Sequence, residues 1–178
     1  MITYVFLIKG LMKDDVEQNF ATWLLWALLD LIAALSILFQ GGNHTLPFFY
    51  AFWGMMIAAI LLYKKQLTWS WFETLVVSLV IICVIVWALS GSRIATIAST
   101  TAVAIATFPQ FLAAWKKPET AGHPMIWVGY TIANVLSLYG GKTWTVEERF
   151  YPGVCVVLCA SMAILCGRKS KSSRRSGY

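Results

Sequence analysis

Charged side chains are scarce in this chain: Asp, Glu, Lys and Arg make up only 12% of its 178 residues, about half the share that a soluble domain carries. Hydrophobic residues make up 59%. So short a chain cannot bury that much apolar surface in an aqueous core, so the composition excludes an ordinary soluble domain and predicts an integral membrane protein. The chain also lacks a small-residue cleavage site after its first apolar segment, so we expect that segment to stay in the membrane.

Groups that do chemistry are also few. The two histidines, His44 and His123, fall in loops, and the four cysteines lie in or beside apolar segments, where cysteine behaves as a small hydrophobe. The sequence contains no phosphate-binding loop, no metal-ligand cluster and no catalytic constellation inside the apolar segments. We therefore expect neither an enzyme nor a cofactor or metal site. The net charge of +6 is concentrated in the tail and at the ends of apolar runs, which argues against nucleic acid as a partner.

Six apolar runs are long enough to cross a membrane, and the shorter run "MITYVFLIKGLM" precedes them. The six runs cover residues 20–39, 46–63, 71–89, 93–115, 124–140 and 150–166. They predict an all-α membrane protein of six or seven transmembrane helices whose first helix is shortened. If the first run is counted as a span, eleven Lys and Arg residues lie on the side of the C-terminal tail and three on the other. The positive-inside rule then places the N-terminus outside and the C-terminus in the cytoplasm.

The two halves of the chain resemble each other at a shift of 104 residues. This shift pairs Thr3 with Thr107, Lys13 with Lys117, Trp23 with Trp127, Trp26 with Tyr130 and Asp30 with Asn134; with small gaps, Phe49-Tyr50 falls on Phe150-Tyr151. The predicted organisation is a three-helix repeat at 1–66, a linker helix at 67–90, a second repeat at 91–167 and a basic cytoplasmic tail at 168–178. One linker helix between two three-helix copies makes them parallel, so their pseudo-symmetry axis follows the membrane normal.

Asp30 is an acidic residue in the middle of "FATWLLWALLDLIAALSILF", and Asn134 has the matching depth in the second copy. A carboxylate at that depth costs about 2.5–3.5 kcal/mol on insertion scales, so it should face the bundle interior or a water-filled cavity. We expect the two residues to meet across the central axis, where a substrate site is expected. Asn134 acting only as interhelical glue is the alternative. Desolvation favours the neutral acid, so proton coupling through Asp30 is a further hypothesis.

Aromatic residues precede both polar positions on the same helix face. Trp23, Trp26 and Asp30 are spaced i, i+3, i+7, and the second copy repeats this spacing with Trp127, Tyr130 and Asn134. Flat rings leading to a hydrogen-bonding group suit a sugar or another small organic solute. For Trp23 and Trp127, membership of an interfacial aromatic belt is the alternative.

The stretch "AIATFPQFLAAWKKPE", with Pro109 and Gln110 late in the first helix of a repeat, resembles the PQ-loop superfamily, which includes SWEET sugar transporters, cystinosin-like exporters and KDEL receptors. The resemblance implies two parallel three-helix bundles joined by a helix, with Pro109 and Gln110 at a hinge that gates one side. A static kink is the alternative, since proline removes one helical hydrogen bond. The first copy has Val5-Phe6 at this place, so gating would rest on the second bundle. The family's paired polar residues usually lie on the third helix of each copy, whereas Asp30 and Asn134 lie on the second.

Together these features predict a transporter that moves a small polar solute by alternating access between two helix bundles. The solute would be sugar-like, an amino acid or another small metabolite. The alternative is a receptor or scaffold of the same fold, similar to the KDEL receptors, that binds a ligand without net transport. The expected partners are the small-molecule substrate and the lipid bilayer, and homo-oligomerisation is left open.

Overall fold

The structure, a computed structural model, describes residues 2–12, 20–65, 71–116 and 123–173. Within these ranges the chain forms seven α-helices and no strand. The helices are α1 (Ile2–Met12), α2 (Phe20–Phe39), α3 (Thr45–Tyr63), α4 (Trp71–Ser90), α5 (Ser92–Lys116), α6 (Pro124–Gly140) and α7 (Val146–Ser173). Lys13 and Lys117 of the predicted repeat, and the tail beyond residue 173, lie outside the described residues.

The six long apolar runs all form helices, which confirms the all-α fold. The largest difference is at α7, which covers Val146–Ser173 instead of residues 150–166. Its first turn contains Glu147 and Glu148, where acidic side chains complement the helix dipole. Five of the described helices, α2, α3, α4, α5 and α7, are long and apolar enough to cross a membrane. With 17 residues, α6 lies at the lower end of the range for a spanning helix.

Glycines permit the tight connections between helices. Gly41, just after α2, has φ 74°, and Gly91, the single residue between α4 and α5, has φ 80°. Both angles lie in the left-handed region that only glycine adopts without a steric cost. At the start of α6 the His123 side chain accepts a hydrogen bond from the Met125 N–H, and Pro124 occupies the first helical position, where no backbone donor is needed.

Two prolines lie inside long helices beyond the first turn. α5 continues as one helix through positions 109 and 110, so Pro109 does not end the helix; its side chain lies outside the described part of the structure. Pro152 lies inside α7, one residue after Tyr151, and is buried. A proline at this position leaves the carbonyl four residues earlier without its helical partner.

Two sets of contacts locate the ends of the helices. At one end, the Gln40 side chain after α2 donates to Thr96 Oγ1 of α5 at 3.0 Å, and Arg93 lies 3.5 Å from Glu147 of α7. At the opposite end, Lys64 after α3 donates to the backbone carbonyl of Leu11 in α1. Consecutive helices therefore alternate in direction along the chain.

The helices pack in pairs around α2 and α5. α2 contacts α3, α4 and α5, and α7 contacts α5 and α6. Fewer contacts join α1 to α6, α2 to α7 and α3 to α6. Gly54 of α3 allows a close approach to α2, because a Cβ at this position would lie 3.0 Å from Ala27 Cβ. Small residues at such crossings are typical of helix packing in membranes.

Candidate functional site

A cavity of about 100 Å³ lies among the helices at the level of Asp30. Six of the seven described helices contribute to its wall; α4 does not. The lining residues are Tyr4, Trp23, Trp26, Ala27, Asp30, Tyr50, Gly54, Val103, Thr107, Trp127, Tyr130, Tyr151, Cys155, Leu158 and Cys159. Seven of these fifteen side chains are aromatic. The volume is below the roughly 300–1,000 Å³ of pockets for drug-sized ligands, so this conformation suits only a small solute.

Asp30 lines the cavity and is only 8% exposed. Its Oδ1 accepts a hydrogen bond of 2.7 Å from the Tyr151 hydroxyl on α7. Tyr151 is 1% exposed and belongs to a small core cluster with Ala33, Ile37 and Cys155. The buried carboxyl group is therefore held by one donor on a helix from the other half of the chain.

Asn134 is fully buried and is bonded to residues of the cavity wall. Its Nδ2 donates to the Tyr50 hydroxyl at 2.7 Å and to the Tyr130 carbonyl at 2.8 Å. Both tyrosines line the cavity, whereas Asn134 does not. The structure records no hydrogen bond between Asn134 and Asp30, so the two polar residues do not pair directly; each holds a tyrosine instead.

The two hydrogen bonds have matching positions in the two halves. Asp30 on α2 is bonded to α7, and Asn134 on α6 is bonded to α3. Tyr50 is the sixth residue of α3, and Tyr151 is the sixth residue of α7. Tyr50 thus reaches from α3 to α6, and Tyr151 reaches from α7 to α2.

The four aromatic residues predicted for the site, Trp23, Trp26, Trp127 and Tyr130, all line the cavity. Trp23 and Trp26 meet edge to face with their ring centroids 5.5 Å apart, and Trp127 meets Tyr130 at 5.9 Å. Such tilted arrangements are the preferred geometry of aromatic pairs. Trp23 and Trp127 are half-buried at the cavity.

Tyr4, Tyr50 and Tyr151 line the cavity although the sequence did not single them out as site residues. Tyr4 lies 5.2 Å from Tyr130 and 6.4 Å from Tyr50 between ring centroids, so α1 completes the aromatic wall. The pairing of Phe49-Tyr50 with Phe150-Tyr151 in the repeat was the pattern that could have identified two of them.

From α5, Val103 and Thr107 reach the cavity, whereas Gln110 is half-buried and is not among the lining residues. Thr107 Oγ1 donates to the Val103 carbonyl at 2.7 Å, and such a bond satisfies the hydroxyl within its own helix. Gln110 is therefore on a helix that contributes to the cavity wall, three residues after the lining residue Thr107, and the backbone of Pro109 belongs to the same helix.

Close contacts gather at the end of the bundle where α2 ends and α7 begins. A Cβ at Gly42, in the connection before α3, would lie 2.9 Å from the Glu147 carbonyl at the start of α7. Arg149 donates to the carbonyl of Thr143 at 2.9 Å and also to that of Gly141. The Arg93–Glu147 pair adds little stability, because Arg93 is 67% exposed and exposed pairs are weak.

Unpaired polar atoms and free thiols remain close to the cavity. Trp26 Nε1 and Asn134 Oδ1 are buried and have no hydrogen-bond partner among the residues that the structure describes. Cys155 and Cys159 line the cavity as free thiols. In the described part of the chain, no group of three or more His, Cys, Asp or Glu side chains could hold a metal ion.

Comparisons with protein-family models, with curated proteins and with solved structures found no match for this chain.

Proposed function

We propose that this protein is a membrane transporter that moves a small polar solute by alternating access between two helix bundles. The observation that carries the proposal is the aromatic cavity bounded on two sides by hydrogen bonds between the halves, Tyr151 to Asp30 and Asn134 to Tyr50. Both bonds would have to lengthen or exchange if the halves separated, so the site is coupled to their relative position. The solute would bind between the halves and cross as they rock around it.

The packing of the helices supports a parallel repeat of α1–α3 and α5–α7, with α4 as the linker. In such a repeat α1 corresponds to α5, α2 to α6 and α3 to α7. The contact of α2 with α7 then corresponds to that of α6 with α3, and the contact of α2 with α5 corresponds to that of α6 with α1. All four contacts occur. The alternating directions of the helices make the corresponding helices parallel, as the proposed PQ-loop or SWEET-like architecture requires.

The positive-inside rule assigns an orientation to this bundle. The connections near Gly42 and Glu147 would face the outside, and Lys64 and the tail would face the cytoplasm. Because Gly42 lies close to the Glu147 carbonyl at this end, we assign this conformation to the state that is shut on the outside. Opening would separate Gly42 from α7 and release Tyr50 and Tyr151 from their partners.

The chemistry of the cavity wall favours a polar solute. Asp30 offers a carboxyl group in a wall that is otherwise mostly apolar and aromatic, and Trp26 of the same wall has a buried Nε1 without a hydrogen-bond partner among the described residues. Few polar groups in an apolar pocket orient a small ligand and exclude others. A peptide-binding receptor is less well supported, because no described residue of the wall is a lysine, arginine or histidine that could bind a peptide carboxylate.

Uptake into proteoliposomes of radiolabelled sugars, amino acids and small amines tests the proposal. We expect saturable flux of at least one solute, and strong loss of this flux in Asn134→Ala, which frees Tyr50. Thr101→Ala is the matched control, because Thr101 is exposed on α5 and its hydroxyl donates to the carbonyl of Ile97 within the same helix. Saturable binding without flux would refute transport and support a receptor that binds its ligand without moving it. The absence of both binding and flux would refute the proposal.

A further inference from the structure

We infer that the cavity selects a small organic cation, such as a primary or quaternary ammonium compound, over neutral and anionic solutes of the same size. This inference deepens the proposed transport function and rests on it, because the bound cation is taken to be the transported solute. Its basis is the combination, in one cavity between the helices, of a single carboxyl group and many aromatic rings.

Asp30 is the only formally charged side chain among the described residues that line the cavity. No lysine, arginine or histidine is present in this wall to neutralise it. Its recorded protein partner is the neutral hydroxyl of Tyr151. A buried carboxylate is costly when no cation accompanies it, so a positively charged ligand would supply the counter-ion that the wall lacks. An anionic ligand would add repulsion to the same cost.

The aromatic rings supply a second attraction for positive charge. Seven of the lining side chains are tyrosine or tryptophan, drawn from α1, α2, α3, α6 and α7. A cation over the face of such a ring is attracted by the ring quadrupole, and the attraction is strongest where water is excluded. Cages of this kind are the usual means of binding quaternary ammonium groups.

The cations of the protein itself do not occupy these rings. In the described residues, two arginines lie over aromatic rings: Arg149 over Trp144 at 4.5 Å, and Arg168 over Trp115 at 4.4 Å. Neither tryptophan lines the cavity. The cavity rings are packed against one another, as in the pair of Trp23 and Trp26, and the cavity beside them is open to a ligand.

The volume of the cavity and the indole nitrogen of Trp26 restrict the range of possible ligands further. About 100 Å³ admits a compact solute of a few heavy atoms. Trp26 lines the cavity, and its buried Nε1 has no hydrogen-bond partner among the described residues, so a ligand hydroxyl group that reached this atom would accept a hydrogen bond from it. A small hydroxylated ammonium compound meets both requirements, with its charge near Asp30 and its oxygen near Trp26.

Binding to the purified full-length chain in detergent tests this inference with a matched pair of probes. Choline and its neutral isostere 3,3-dimethylbutan-1-ol have nearly the same shape and differ in charge. Calorimetric titration of choline, tetramethylammonium and ethanolamine is compared with titration of the neutral isostere. We expect at least one cation to bind about tenfold or more tightly than the isostere. Equal affinities, or no binding of any of the three cations, would overturn the inference.

Two variants and a control locate the effect. Asp30→Asn keeps an oxygen that can accept the hydrogen bond of Tyr151 but removes the charge. The ratio of the affinity for choline to that for the neutral isostere should therefore fall toward one. Trp26→Leu should weaken cation binding several-fold. Trp115 is 63% exposed and does not line the cavity, so Trp115→Leu should leave cation binding unchanged. If Asp30→Asn and Trp26→Leu, checked by size-exclusion profile, are folded and both keep the wild-type preference, the cation site is not this cavity.

Uptake of radiolabelled choline into proteoliposomes separates the two proposals. Cation binding with no uptake of choline or of any other tested solute would support the selectivity and refute transport. Uptake of a neutral sugar together with no cation binding would support transport and refute the selectivity.

Discussion

The hydroxyl group of Tyr151 on α7 lies 2.7 Å from Asp30 Oδ1 on α2, across 121 residues of sequence. This bond joins the two halves of the chain at the wall of the aromatic cavity. Asn134 and Tyr50 form the corresponding bond with the halves exchanged. A solute in the cavity would therefore lie beside both contacts, and its binding can bias whether they stay closed.

Removal of either tyrosine hydroxyl should destabilise the protein. Tyr151→Phe leaves the buried Asp30 without its donor, and we expect a loss of about 1.5–3 kcal/mol if the acceptor is charged; Tyr50→Phe should cost about 0.5–1.5 kcal/mol. Denaturant unfolding in detergent measures both. Tyr139→Phe is the control, because Tyr139 is 73% exposed on α6. Equal stability of all three variants would show that the bonds do not hold the halves together.

The close approach of α2 and α3 predicts a second effect on stability. In Gly54→Ala the new methyl group would lie 3.0 Å from Ala27 Cβ, so the helices must move apart, and overpacking of this kind costs about 1–3 kcal/mol. Gly153→Ala is the matched control within α7, since its Cβ would meet Leu138 Cδ1 at an ordinary 3.8 Å. Thermal unfolding in detergent should show a lower midpoint for Gly54→Ala alone. An unchanged midpoint would mean that α3 can shift freely at this crossing.

The polar and aromatic residues of the site were largely predictable from the sequence. Asp30 stands out because an acid in a long apolar run must have a partner or a cavity, and the repeated spacing with Trp23 and Trp26 points to one helix face. Asn134 is buried, and the sequence had already marked it as a polar residue within an apolar run. Its direction was not predictable, because the rotation of α6 against α3 decides whether the amide faces the cavity or Tyr50, and this depends on packing between distant segments.

The tyrosines illustrate the limit of sequence reasoning more clearly. Tyr50 and Tyr151 are ordinary residues for a membrane helix, and nothing local distinguishes them from the exposed Tyr139. Their role arises from hydrogen bonds between helices that are far apart in the chain. The repeat contained this information only as a weak pair of Phe-Tyr dipeptides, so a contact between the halves could be inferred only once the helices were packed.

The orientation proposed from the charges can be tested by labelling. A membrane-impermeant maleimide added to intact cells should label Asn43→Cys, in the connection between α2 and α3, and should not label Ser176→Cys in the tail until the membrane is permeabilised. The wild-type chain, whose described cysteines are mostly buried, is the background control. The reverse pattern would invert the topology and would place the closed end of the bundle on the cytoplasmic side.

Pro109 supplies the most direct test of gating. Alanine at this position can donate a backbone hydrogen bond to the carbonyl four residues earlier, which proline cannot do, so Pro109→Ala should stiffen α5 next to the segment that carries Thr107 and Val103. If bending there opens one side, the rate of solute uptake in proteoliposomes should fall several-fold while equilibrium binding stays unchanged. Pro124→Ala is the control, because the first residue of a helix has no such bond to restore. A wild-type uptake rate in Pro109→Ala would show that bending at Pro109 does not limit transport. Pro152, beside Tyr151 in α7, would then be the next candidate for the hinge.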